Sequence, residues 1–216
     1  MSDPIQMLNT SVEIQSVLGS AKNITGITNA MEGVVSSTAH GFLAGDILLI
    51  GNVQGMTKIN RRAVRVKSSP ATDSLTLQEL DTTGFGTYTS GGTLQKVTTF
   101  LSFDTLTAFN FAEPQPNPQS ATTIHDTEER EVYGLDSAPT ITLDGQAQPT
   151  ETVIKEVRKT SLAKDDRIYR VTFQNGNIMI FNAKTAGGRG IEGSAGDIAK
   201  NQITLKLRAP EQVFAS

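Results

Sequence analysis

Gln202-Ile203-Thr204-Leu205-Lys206-Leu207-Arg208 is the stretch whose pattern decides the fold class. In an extended chain successive side chains point to opposite faces, so Ile203, Leu205 and Leu207 share one side. Thr204, Lys206 and Arg208 share the other. A strand of this kind buries one face and wets the other.

Upstream, Gln174-Asn175-Gly176-Asn177 sits between two apolar runs, Arg167 to Phe173 and Asn177 to Asn182. Asn-Gly is the strongest short hairpin signal, because both residues tolerate positive φ. Thr140 to Leu143 and the longer Phe100 to Phe111 read as further strands. One helix is expected, at about 149–163. Pro149 suits a first turn, Glu151 favours the positive helix end, and Val153, Ile154, Val157 and Leu162 offer an apolar stripe.

The first half has a shorter rhythm. Strand-like runs at Val34 to Ser37, Asp46 to Ile50, Ala63 to Val66, Ser74 to Gln78 and Gly92 to Gln95 alternate with glycine turns. Two regions are expected: 1–96, an N-terminal strand and a small all-β module, and 97–216, a β-core with its helix. Two segments resist assignment. Glu113-Pro114-Gln115-Pro116-Asn117-Pro118 cannot pair in a sheet centre, since proline lacks the donor. Gly187 to Gly196 reads as a flexible connection.

Composition narrows the function. The 216 residues carry no cysteine, which excludes disulfides, thiolate metal sites and a cysteine nucleophile. No apolar run approaches the roughly 20 residues of a spanning helix, and no membrane partner is expected. The start Met1-Ser2-Asp3-Pro4 lacks the basic and apolar segments of a secretory signal, so synthesis in a cytoplasm is expected. The net charge of −3 opposes tight nucleic-acid binding, which needs a cationic surface to displace phosphate counterions. Residues 1–96 hold seven basic and seven acidic side chains, so the acidic excess lies in the second half.

Enzyme chemistry is missing. His40-Gly41 reads as a turn, and His125-Asp126 has no Gly-x-Ser-x-Gly elbow to complete a triad. Gly188-Arg189-Gly190-Ile191-Glu192-Gly193 matches the dinucleotide fingerprint in letters only, because no helix follows to receive a pyrophosphate. Neither catalytic residues nor a cofactor or metal site is expected. Asp126, Glu128, Glu129 and Glu131 lack the spacing of a calcium loop and read as a solvated or interface face. Arg61 and Arg65 share one face of a presumed solvent-facing strand. That basic patch is an interface candidate for the acidic cluster of a neighbouring subunit.

Beyond these readings, the chain resembles the tail tube proteins of long-tailed (siphovirus-type) bacteriophages over nearly its whole length. In the first half the resemblance lies in Ser11 to Gly19, Ile24 to Ala30, Thr38-Ala39-His40-Gly41-Phe42, and Asp81-Thr82-Thr83-Gly84-Phe85-Gly86-Thr87-Tyr88-Thr89-Ser90-Gly91. In the second half it lies in Thr122-Thr123-Ile124-His125-Asp126, the Gly134-Leu135 break, the helix, Phe173-Gln174-Asn175-Gly176 and the closing strand. The resemblance implies a mainly β, tail-tube β-sandwich core that forms a barrel between subunits, with one flanking α-helix. It implies a structural virion protein whose hexameric rings stack into a tube conducting DNA from capsid to host. Partners would be other copies of the chain and the tape measure, tail terminator and tail tip proteins, with genomic DNA passing through the lumen without specific binding. The 110–135 loop corresponds to an arm reaching an adjacent ring, and Lys206 and Arg208 become lumen or interface candidates. The competing expectation is a carbohydrate- or surface-binding β-sandwich, against which the absence of tryptophan counts.

Overall fold

The computed structural model describes residues 7–215; the reading of Met1 to Pro4 lies outside them. β1 (Ser11–Leu18) is followed by β2 (Lys22–Asn23), β3 (Gly26–Ile27), β4 (Val34–Ser36) and β5 (Ile47–Gln54). A 3-10 turn at Thr57–Ile59 leads to β6 (Ala63–Ala71), β7 (Ser74–Leu77) and the long β8 (Ser90–Ser102). Then come β9 (Leu106–Ala112), β10 (Pro116–Ser120), β11 (Glu131–Asp136) and β12 (Thr140–Gln146). The helix α1 (Thr152–Ala163), the one α-helix among the described residues, precedes β13 (Asp166–Thr172), β14 (Ile178–Thr185), β15 (Lys200–Leu207) and β16 (Gln212–Phe214). The fold is mainly β.

Hydrogen bonding orders the main sheet β3-β4-β7-β6-β5-β8-β1-β13-β14-β15-β12-β9, with β2 on β8 and β16 on β14. β10 and β11 form a separate ribbon. From β8 to β9 the strands turn one face inward around a common core that includes Ile14, Ile141, Tyr169, Phe181, Ile203 and Leu205. The sheet curls, so that Thr10 and Val12 at β1 line one groove with Leu106 and Phe109 of β9. The result is a β-sandwich with α1 laid on its apolar filling through Val153, Ile154 and Val157.

The closing strand alternates as its sequence requires: Ile203, Leu205 and Leu207 are buried, while Gln202 and Lys206 face outward. The Asn-Gly hairpin forms with Gly176 at φ +83° and the Phe173 N–H donating to the Asn177 carbonyl at 2.9 Å. A second apolar cluster, including Val35, Leu48, Ile50, Val64, Leu75 and Leu94, fills the N-terminal module. A third joins the two regions: Ile47 and Ala63 of the module meet Val97, Ile168, Ile180 and Phe214.

Several elements differ from the sequence reading. The run Phe100 to Phe111 is two strands, β8 and β9, because Phe103 turns into the core and the chain reverses over Asp104 and Thr105. α1 begins at Thr152 with Glu151 as an extended N-cap, so Pro149 precedes the helix. Leu162 is 65% exposed and leaves the apolar stripe; Thr160 takes the inward position and satisfies its hydroxyl on the Val157 carbonyl at 2.9 Å. The strand after Arg62 is not solvent-facing, since Ala63 and Val64, on opposite faces, are both buried. β1 lies between β8 and β13, so residues 97–216 do not hold the whole core sheet. The expected boundary at 96–97 falls within β8.

Candidate assembly surfaces

Burial separates the outer faces of the curled sheet into two kinds. Over β13 and β14 the outer face is apolar at Ile168, Ile178 and Ile180, and the module covers it. Over β9, β12 and β15 it is polar and open. Register places Lys206 beside Thr140, Thr204 beside Thr142 and Gln202 beside Asp144. Asn110 and Ala108 of β9 continue those rows. Hydroxyl, amide and methyl groups dominate, with Asp144 accepting from the Gln202 amide at 2.8 Å. Lys206 is exposed and stands opposite Lys184. Arg208 differs from Lys206 in being held within its own chain, its Nε 2.9 Å from the Asp166 carboxylate.

Among the described residues β9 pairs with β12 alone, which leaves one edge of the sheet open. Its sequence, Leu106-Thr107-Ala108-Phe109-Asn110-Phe111-Ala112, contains neither a charge nor a proline. Natural edge strands are usually blunted by such residues, because unpaired N–H and C=O groups otherwise recruit another strand. The opposite margin, β3, is two residues long and offers little ladder.

The ribbon β10–β11 is the other unprotected element. From Ala112 to Ala138 every residue is exposed except Asp126. Prolines at 116 and 118 are tolerated because both strands of an isolated ribbon are edges. Ile124 is 96% exposed and Leu135 93%, with Tyr133 and Val132 also outward. Asp126 folds the connecting turn by accepting the Thr123 N–H at 2.8 Å and its hydroxyl at 3.0 Å. Glu128, Glu129 and Glu131 project into solvent beside it.

The basic candidates lie elsewhere, and no ion pair joins them to this acidic group among the described residues. Arg61 sits in a turn at φ +64°, its carbonyl accepting the Asn182 side-chain amide at 2.8 Å. That bond ties the module to β14. Arg65 lies 5.8 Å over the Phe214 ring and Arg62 4.8 Å over Phe85. Burial lowers the Arg62 pKa from its usual value. These two guanidinium groups are therefore occupied inside the chain.

His40 is buried, its Nδ1 accepting the Phe42 N–H at 2.9 Å, and His125 lies on the exposed ribbon turn. Among the described residues no group of three His, Asp or Glu side chains is placed to hold a metal ion. In the glycine-rich connection Gly188, at φ +93°, approaches the core so closely that a Cβ would stand 2.8 Å from Val157. An apolar groove of about 460 Å³ lies at the root of the ribbon between Phe111, Pro114, Pro139, Leu207 and Pro210.

The family described as phage tail tube protein matches residues 54–211. The chain belongs to the phage tail tube protein family. The match runs from the last residue of β5 to the residue before β16, so it takes in part of the module and most of the sandwich. This tail tube subunit is a structural component of the virion tail, and its working sites are surfaces where it assembles with copies of itself and with other tail components. No curated protein matches the chain. The edge of β9 and the apolar residues of the ribbon escaped the sequence reading. A seven-residue run of Leu, Thr, Ala, Phe and Asn without a charge was the available signal, obscured by reading it as the tail of a longer strand.

Proposed function

We propose that this subunit closes into hexameric rings through the open edge of β9, and that the rings stack into the tube of a long-tailed phage. The unguarded edge carries the reading. In a tube-forming family, an uncharged seven-residue edge is explained if the next subunit covers it, and a ring of sheets leaves no edge exposed. Lateral contacts close the ring, whereas axial contacts do not close and so propagate the filament.

The polar outer face of β9, β12 and β15 is the proposed lumen wall, with Lys206 on it. Its Thr, Gln and Asn side chains and its mixed charges suit passing DNA, which must slide without counterion-release affinity. The module covers the other outer face and would lie on the exterior. The ribbon would reach an adjacent ring. Tape measure, tail terminator and tail tip proteins are the proposed partners at the interior and the ends. Electron microscopy of the purified protein tests the reading: six-fold rings or tubes are expected, and a persistent monomer at high concentration rejects it.

A further inference from the structure

We propose that the outward face of α1 is the surface that receives the acidic ribbon of a second copy in the next ring. The inference rests on the stacked-ring reading and adds the partner surface. Three observations support it.

The first is charge. Residues 113–136 hold six acidic side chains and one basic, a formal charge of −5. The whole chain carries −3, so everything outside the ribbon sums to +2. The ribbon is the negative end of a molecule that is otherwise mildly positive. On α1, Lys155 and Lys159 are exposed at an i,i+4 spacing, Lys159 lying 3.4 Å from the Glu156 carboxylate, with the exposed Leu162 on the same stripe and Lys164 just beyond. The Arg61 patch fits less well, because the neighbouring Arg62 and Arg65 already lie over aromatic rings.

The second is apolar match. A two-stranded ribbon alone is marginal in water, and this one exposes Ile124, Tyr133 and Leu135. Leu162 is the apolar counterpart on the helix. The third is direction. The ribbon leaves the sheet where Ala112 pairs with Thr140. α1 starts after Gln146, at the other end of β12, and runs back to this one, because Asp166, just beyond the helix, shares a cross-strand row with Lys184, Lys206 and Thr140. Copies stacked head to tail bring the ribbon root of one against the start of α1 in the next, and the ribbon must run along the sheet to reach Leu162. About a dozen extended residues on each side of the ribbon reach on the order of 40 Å, further than the roughly 23 Å of seven-residue β12.

The absence of cysteine permits a clean test. In assembled protein carrying both Ile124→Cys and Leu162→Cys, mild oxidation is expected to give a ladder of covalent multimers, absent from either single variant. Lys155→Glu with Lys159→Glu is expected to leave rings intact and to reduce tube yield about tenfold or more, with recovery when Glu128→Lys and Glu129→Lys are added. Arg61→Glu is expected to leave tubes unchanged. Cooperative melting of each variant checks its fold. Wild-type protein that never stacks overturns this proposal together with the tube reading. Wild-type tubes alongside unaffected Lys155→Glu/Lys159→Glu tubes, or no double-cysteine ladder, overturn this proposal alone.

Discussion

Tyr169 shows how a single polar atom is accommodated in the sandwich filling. The residue is fully buried, stacks on Phe181 with ring centroids 5.4 Å apart, and meets the Thr185 hydroxyl at 3.0 Å. Burial, opposed by the Thr185 hydrogen bond and by Arg167, pushes its phenol pKa far up. The native state therefore holds a proton that the unfolded chain releases at about pH 10. Stability from this group is fully present below pH 10 and is lost as pH rises towards the elevated folded value. Tyr169→Phe should cost about 1 kcal/mol at pH 7, through the lost hydrogen bond. At pH 11 the difference should close or reverse, since the wild type alone loses roughly 1.4 kcal/mol per pH unit at this site. Urea denaturation at the two pH values measures the crossover; a constant deficit would show that the phenol ionises freely in the folded protein.

At the scale of elements, α1 and β9 make contrasting predictions. Val157 is 0% exposed beneath α1, so Val157→Ala should destabilise the subunit by about 2 kcal/mol. Leu162→Ala, on the outward side, should change subunit stability by less than about 0.5 kcal/mol. Thermal melts of the two variants under conditions that hold the protein monomeric check the pair. On β9, Ala108→Lys with Asn110→Lys places like charges beside the open edge, on the exposed side. The expected product is a folded monomer that fails to form rings, seen by size-exclusion chromatography; normal rings would move the lateral contact away from β9. The α1 stripe was legible in sequence at Val153, Ile154 and Val157 because helical periodicity is local. Leu162 was misassigned because periodicity marks a stripe but not its end, which the left-handed turn at Lys164 sets here.

For the whole molecule, removing the module is the informative change. Asn23 and Thr93 are cross-strand partners, so deleting residues 23–93 joins Lys22 to Leu94 across an existing pair. The remaining sandwich keeps β1 and the end of β8 but uncovers Ile168, Ile180 and Phe214, a loss on the order of 3 kcal/mol. It should fold with a lowered melting temperature and still form tubes, narrower in outer diameter by electron microscopy. A folded remainder that never polymerises would contradict an exterior module. The sequence by itself determined the β class, the inward residues of β15, the Asn-Gly hairpin, the helix and the concentration of acidic charge in one segment. Each depends on period, turn chemistry or composition within a few residues. Only the tertiary structure decided that β1 lies between β8 and β13, that Ala63 and Val64 are buried on opposite faces, and that β9 pairs on one side only among the described residues. A two-residue period tells which side chains share a face; what covers that face, and which strands pair, depends on residues distant in the chain.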